Sequence, residues 1–483
     1  MKSYRYIKTA FYTLLAMFAL AGFIEAQQKT PPPPGKRRPV NLPKSTEKKL
    51  SNGLTVVLSP LRNVPKITAL LSFHTGQSAG REQHPGIAQL AAAVANEGTD
   101  TRSSQAISEE LRSIGGTLSL GTDFDSTIMS ASSLSEFSGK LFVLMGDVAQ
   151  HASFPEKELA LAKENMIQGI QEQRADPNFL ATEQFQKAVF GNHPYSFVVA
   201  DDKSITALTR DNLKDFVKGH YLPNNDQLVI VGDFHETAVM AEIEKSFGSW
   251  ASVKFPQEET PALPQRDKRQ IYFVNRPGSI QSTIVMGNSI IPRKDPDYFA
   301  IRTADTIYGG SFYSRLTKNI RETKGYTYSP FSTAFTMAKS GYFQTGAAVR
   351  NEVTGPTLLE MLYELDKMRV TPVTQEELDA AKAYSTGNFS IQLSSQSGLA
   401  SRINTVYTYE LPKDFIESFR VKIDDLTISD IQKAAAKYFD TYHGAIVIVG
   451  DYEKVKDQVK PFGDITLMDA EGKPINQKPD GKP

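Results

Sequence analysis

The chain reads as an α+β protein of two related units in tandem, and an internal repeat is the main reason. Leu208 to Phe234 and Leu426 to Tyr452 align without a gap: Leu208-Thr209 matches Leu426-Thr427, and Val229-Ile230-Val231-Gly232-Asp233 matches Val447-Ile448-Val449-Gly450-Asp451. Both copies have the pattern of a Thr-capped amphipathic helix, a turn and a buried β-branched strand. A short helix ending in Phe-Gly follows each, at Phe247-Gly248 and Phe462-Gly463. A second pair of segments, Glu158-Leu159 to Ala162-Lys163 and Glu377-Leu378 to Ala381-Lys382, repeats at nearly the same separation. Two independent matches at one spacing indicate a duplicated unit.

The elements follow in the same order in each half. The first unit opens with a strand at Leu54 to Leu58, then Ile67 to Phe73, then a helix beginning near Gly86. The second opens with Ile271 to Val274, then Gln281 to Met286, then a helix near Tyr298 to Tyr308. Residues 46–254 and 269–463 are the expected domains, each about 200 residues and within the usual size range. Between them, 255–268 is a linker in which Pro256, Pro261 and Pro264 sit among charges. The segment 464–483, rich in Lys, Asp, Gly and Pro, is expected to be a mobile tail.

At the N-terminus, Lys2, Arg5 and Lys8 precede an uncharged apolar run from Ala10 to Ile24. As a helix that run spans about 22 Å at ~1.5 Å per residue, short for a bilayer. Residues 1–26 therefore read as a signal peptide cleaved after Ala26, with an uncleaved anchor as the competing reading. Pro31 to Pro34 and the following Gly35-Lys36-Arg37-Arg38 make 27–45 a stiff basic linker. The expected location is outside the cytoplasm, in the periplasm or cell envelope, with no stable membrane span after cleavage. The sequence has no cysteine, which removes disulfides, lipid-attachment cysteines and thiol chemistry. Lys+Arg and Asp+Glu both number 54, so no global basic field argues for nucleic acid.

From Gly86 to Thr99 the chain reads Gly-Ile-Ala-Gln-Leu-Ala-Ala-Ala-Val-Ala-Asn-Glu-Gly-Thr. This resembles the metal-binding helix of the pitrilysin/insulinase zinc peptidases, Gly-Leu-Ala-His-Phe-Leu-Glu-His followed by a Gly-Thr stop. In that family the two histidines hold zinc and the glutamate between them activates water. The matching positions here are Gln89, Ala92 and Ala93. An amide and two methyl groups can neither hold zinc nor take a proton from its water. The family's third ligand, a glutamate on a later helix, falls on Gln168 or Gly169. None of the seven histidines pairs with another at helical spacing, and all read as surface or turn residues. No bound metal is expected in this chain.

The second half carries a different motif. Gly309-Gly310-Ser311-Phe312-Tyr313-Ser314-Arg315-Leu316 runs into Asn319-Ile320-Arg321-Glu322-Thr323-Lys324-Gly325-Tyr326-Thr327-Tyr328-Ser329. It is similar to the family's segment Gly-Gly-x-x-Ser-Arg-Leu followed by Ile-Arg-Glu-x-x-Gly-x-x-Tyr-Ser. The resemblance implies that Arg321 and Tyr328 point into a cleft and bind the substrate backbone near the scissile carbonyl. Locally, Phe312, Leu316 and Ile320 fall on one helical stripe and Gly325 can stop the helix. Tyr326 to Phe335 reads as a strand. Without the resemblance, an arginine near a helix C-terminus and a strand tyrosine need no functional explanation. Asp123 and Asp125, alternating on a strand, read as solvated edge residues, and the lone Trp250 as packing.

The resemblance covers roughly Leu50 to Ala470. It implies two α/β units, each a mostly antiparallel sheet packed with helices, facing each other across a cleft. It also implies a role: a non-catalytic, substrate-binding subunit of a zinc metallopeptidase, not a peptidase alone, that supplies Arg321 and Tyr328. Zinc would sit in a partner, an exported H-x-x-E-H subunit forming a heterodimer or higher assembly, and the substrate would be a peptide. The alternative is a catalytically inert scaffold or peptide-binding protein derived from the same fold.

Overall fold

The computed structural model describes residues 42–253 and 260–475. The expected signal segment, most of the basic linker, residues 254–259 of the linker between the units, and the end of the tail lie outside the described residues. Two six-stranded sheets form the frame. The first contains β1 (Thr46–Lys49), β2 (Thr55–Pro60), β3 (Lys66–Phe73), β4 (Thr117–Thr122), β5 (Thr127–Leu134) and β6 (Gln227–Gly232), ordered β1-β2-β6-β3-β5-β4. The second contains β7 (Gln270–Asn275), β8 (Gln281–Ile290), β9 (Phe331–Thr336), β10 (Gly341–Arg350), β11 (Ala445–Gly450) and β12 (Ile465–Met468), ordered β12-β7-β11-β8-β10-β9. In each sheet a parallel pair, β2 with β6 or β7 with β11, joins an antiparallel run.

The repeated segments take the same structure twice. Thr209 and Thr427 both close capping boxes at the start of helices Arg210–His220 and Ile428–Tyr438. Such a cap is worth about 1 kcal/mol over alanine, because it satisfies backbone N–H groups that a helix leaves open. The strands that follow, β6 and β11, are buried along their whole length at the sheet centres. Gly232 is required where β6 ends, since a Cβ there would lie 2.4 Å from the Lys66 carbonyl oxygen.

The halves differ at one sheet edge. β1 comes from the N-terminal side and runs antiparallel to β2, whereas β12 comes from the segment expected to be a mobile tail and runs parallel to β7. That expectation is corrected for residues 465–468. Ile465 and Leu467 pack against the second core, and Met468 is buried on the opposite face beside Val274 and Val447.

Each half also lends a helix to the other's sheet. Helix Pro177–Phe190 packs on β8 and β11, with Leu180, Phe185, Val189 and Phe190 joining Val285, Val447 and Val449 in one cluster. Helix Gln396–Thr408 packs on β3 and β6. There the buried Gln227 Nε2 donates to Asn404 Oδ1 at 3.0 Å and to Thr408 Oγ1 at 2.9 Å. A second tie is the turn between β4 and β5. Asp123 Oδ1 closes that turn by accepting the N–H groups of Asp125 and Ser126. Asp125 accepts the Ala338 N–H at 3.0 Å, between β9 and β10, together with a short hydrogen bond from Tyr195. Asp125 is thus a half-buried bridge rather than a solvated edge residue. Nearby, His193 lies in a turn but is buried, its Nδ1 accepting the Tyr195 N–H at 3.1 Å.

Burial pushes the Asp125 carboxyl up to about 6, against hydrogen bonds from Tyr195 and Ala338 that favour its charge. A carboxyl whose folded value is raised stabilises the fold most fully below its ordinary range and loses that contribution as pH rises through about 6. Relative to wild type, Asp125→Asn should therefore gain stability between about pH 4 and pH 7. Denaturant midpoints at the two pH values check this, and a constant difference would rule it out. Among the described residues no helix is long and apolar enough to cross a membrane.

Candidate functional site

The degenerate metal motif lies on helix Ile87–Val94, entered through Gly86 in a left-handed conformation (φ 85°). The helix packs against Glu156–Ala175 and β4. Ala92 is buried, Ala93 is exposed, and Gln89 is half-buried with its Oε1 unpartnered. Gln168 is exposed on the neighbouring helix. The helix pair that could frame a metal is therefore in place, but its side chains do not fit zinc. A structural or catalytic zinc site needs three or four imidazole, thiolate or carboxylate ligands. Among the described residues no group of three His, Cys, Asp or Glu is close enough to hold a metal. Purified alone, the chain should hold far less than one zinc per molecule and leave peptides uncut. One tightly held zinc per chain by elemental analysis would contradict this.

The second motif is built from the end of helix Tyr298–Tyr308. The N–H groups of Gly309 and Gly310 both donate to the Asp305 carbonyl, at 2.9 and 2.8 Å. A Cβ at Gly309 would lie 2.7 Å from Ser332 Oγ, and one at Gly310 2.9 Å from Asp305 Oδ2, so the pair lets the loop press onto the helix end and β9. Arg315 then fixes the loop through a bidentate pair with Glu377, at 2.7 and 2.8 Å. Thr317–Thr323 is a π-helix, a wide turn that recurs at functional sites. Leu316 and Ile320 are fully buried beneath it. Gly325, at φ 63°, turns the chain back towards β9.

This geometry brings Arg321 and Tyr328 together. The Arg321 guanidinium carbon lies 4.2 Å from the centre of the Tyr328 ring and 4.8 Å from that of Phe312. Tyr328 is 77% exposed and Phe312 54% exposed, so the stack stands open to solvent. No carboxylate among the described residues forms an ion pair with Arg321. Two aromatic faces thus hold a guanidinium whose N–H fork donates to no group among the described residues, an arrangement able to meet a peptide carbonyl or a developing oxyanion.

Two expectations about this loop are corrected. Tyr328 precedes the strand rather than standing inside it, because β9 begins at Phe331. Phe312 is not part of the buried stripe: it lies in a turn before the helix begins at Arg315, and covers Arg321 instead. Sequence reasoning missed Phe312 as a neighbour of Arg321 in the candidate site. The signal was an aromatic residue directly after Gly-Gly-Ser, where a turn rather than a helix is expected.

Comparison with known proteins places this architecture. Residues 55–203 match the family model described as Insulinase (Peptidase family M16), and residues 207–385 match the one described as Peptidase M16 inactive domain. The chain belongs to the pitrilysin/insulinase family. A Rickettsia felis protein described as an uncharacterized zinc protease is 26% identical to this family member over 410 residues, covering 83% of this chain and 96% of the relative. The crystal structure of a peptidase M16 inactive domain from Pseudomonas fluorescens superposes with a TM-score of 0.79 at 26% identity, covering 84% of this chain and 98% of that one. A protease from Helicobacter pylori shares the fold at a TM-score of 0.79 and 21% identity, covering 84% of this chain and 100% of that one. Within this family the chain is a member without the catalytic motif, since Gln89, Ala92 and Ala93 stand at its positions.

Proposed function

We propose that this chain is the non-catalytic, substrate-binding subunit of an exported zinc metallopeptidase, and that Arg321 and Tyr328 are its contribution to the reaction. The partner would be a similar exported chain bearing H-x-x-E-H, with the zinc. A peptide would lie as an added strand on a sheet edge of the active subunit, satisfying its backbone groups there. Arg321, held between Phe312 and Tyr328, would reach the carbonyl near the scissile bond from the opposite wall. The charged start at Lys2, Arg5 and Lys8 and the apolar run Ala10 to Ile24 support export to the periplasm or cell envelope.

One contrast supports the reading. The metal positions are blank, yet the open Arg321–Tyr328 stack is kept, and a pure scaffold has no use for a solvent-facing guanidinium on aromatic rings. The test is reconstitution. Added to its zinc-bearing partner, the wild-type chain should raise peptide cleavage, whereas a scaffold would leave the partner's intrinsic rate unchanged.

A further inference from the structure

The duplication gives the second half a counterpart of the metal-motif region. Helix Tyr298–Tyr308 follows β8 as Ile87–Val94 follows β3. It packs on Gln375–Gln392 and β9, as the motif helix packs on Glu156–Ala175 and β4. Between these second-half elements is a cavity of about 250 Å³, lined by Arg302, Arg402, Tyr298, Asn388, Gln392 and Asp305 among others.

Positive charge dominates this cavity. Among the described residues the Arg302 side chain donates only to the Ala334 carbonyl, at 3.3 Å, and Arg402 to the amide oxygen of Gln392. Behind them Arg293 is 9% exposed, stacks on Tyr298 at 3.8 Å, and has an unpartnered buried Nε. None of the three arginines forms an ion pair among the described residues. Lys422, over Phe299 at 5.6 Å, adds a fourth cation nearby. Asp305, the one carboxyl among the described lining residues, is buried and accepts from Ser332 Oγ at 2.5 Å, and burial raises its protonation range against the opposing effects of Ser332 and Arg302. Burial alone would raise the Tyr298 hydroxyl, but Arg293, Arg302 and Arg402 outweigh it and hold that hydroxyl below its usual range. The same crowding, added to burial, lowers Arg402. A partly enclosed site lined by two guanidinium groups, with a third behind them and a single carboxyl among its described lining residues, is short of negative charge. Guanidinium forks match planar or tetrahedral oxyanions.

We propose that this cavity binds a small oxyanion, a carboxylate or phosphate group held between Arg302 and Arg402. Arg321 does not line this cavity, and the proposal does not depend on the proposed role in peptide cleavage. The two sources of that chemistry are a free phosphate and the C-terminal carboxylate of a peptide.

Calorimetric titration of the purified full chain at low salt tests this with inorganic phosphate and with a short acetylated peptide, once as the free acid and once amidated. Saturable binding of phosphate or of the free-acid peptide is expected, weakened at least tenfold in Arg302→Gln. Arg302 is exposed, so that variant should keep its fold, which a thermal melt verifies. Lys157→Gln, on a distant helix, should bind as wild type does. Binding of the free acid but not the amide, in competition with phosphate, assigns the carboxylate source. Binding of phosphate alone assigns the other. No saturable binding of either probe, or equal binding by wild type and folded Arg302→Gln, overturns the proposal.

Discussion

Arg321→Ala and Tyr328→Phe should each slow peptide cleavage by the proposed complex about a hundredfold or more without weakening assembly. A preorganised donor to a developing oxyanion is worth roughly 2.7–4 kcal/mol, because it is fixed before charge develops and pays no reorganisation cost. Neither substitution touches the buried Leu316 and Ile320 that anchor the π-helix, so the subunit should remain folded. The two variants separate different contributions. Tyr328→Phe keeps the ring that stacks on Arg321 and removes only the hydroxyl, whereas Arg321→Ala removes the charge itself. Phe312→Ala should lose only several-fold, since an exposed cation–π contact contributes about 0.5–1 kcal/mol and positions the guanidinium without meeting the substrate. Steady-state kinetics distinguish the roles. A fall in kcat marks a contact made in the transition state, and a rise in KM alone marks one made equally to the bound peptide. Wild-type rates in both Arg321→Ala and Tyr328→Phe complexes would make the pair structural and favour the scaffold reading.

Arg315→Ala should destabilise the protein by at most about 3 kcal/mol, the low end of what removing one partner of a fully buried ion pair costs, because this pair is half-buried. The side chains of Arg315 and Glu377 are only 10% and 23% exposed, and both carboxylate oxygens are engaged. Burial would raise the Glu377 carboxyl, but Arg315 and the Thr374 backbone outweigh it and hold it at about 2. A depressed carboxyl stabilises the fold above its ordinary range near 4.5, and that contribution is lost as pH falls towards 2. Wild type and Arg315→Ala should therefore differ most near neutral pH in denaturant unfolding and converge in acid. Arg315→Lys should recover only part of the loss, because an ammonium cannot reproduce the two parallel hydrogen bonds. A pH-independent difference would mean that lost packing, not the ion pair, accounts for the effect.

Local features of this fold were legible in the sequence, and long-range ones were not. The capped helices and central strands of the repeat depend on nearby residues, Thr209 with Asn212 and Thr427 with Asp430. The blank metal motif was equally local. The exchanged helices were not legible, because the apolar residues of Pro177–Phe190 mark a buried face without saying which sheet covers it. β12 escaped notice because four residues in a Lys-, Asp- and Gly-rich stretch carry too short a period to stand out. Phe312 was misassigned because counting in steps of four assumes one continuous α-helix. Here a turn precedes Arg315, and a π-helix with wider spacing follows it.

The most direct measurement is titration of this chain into the proposed H-x-x-E-H partner with a fluorogenic peptide. The account predicts that neither chain alone cleaves efficiently and that activity rises and saturates as the complex forms, with all zinc remaining in the partner. A partner fully active alone and unchanged by addition of this chain would contradict it.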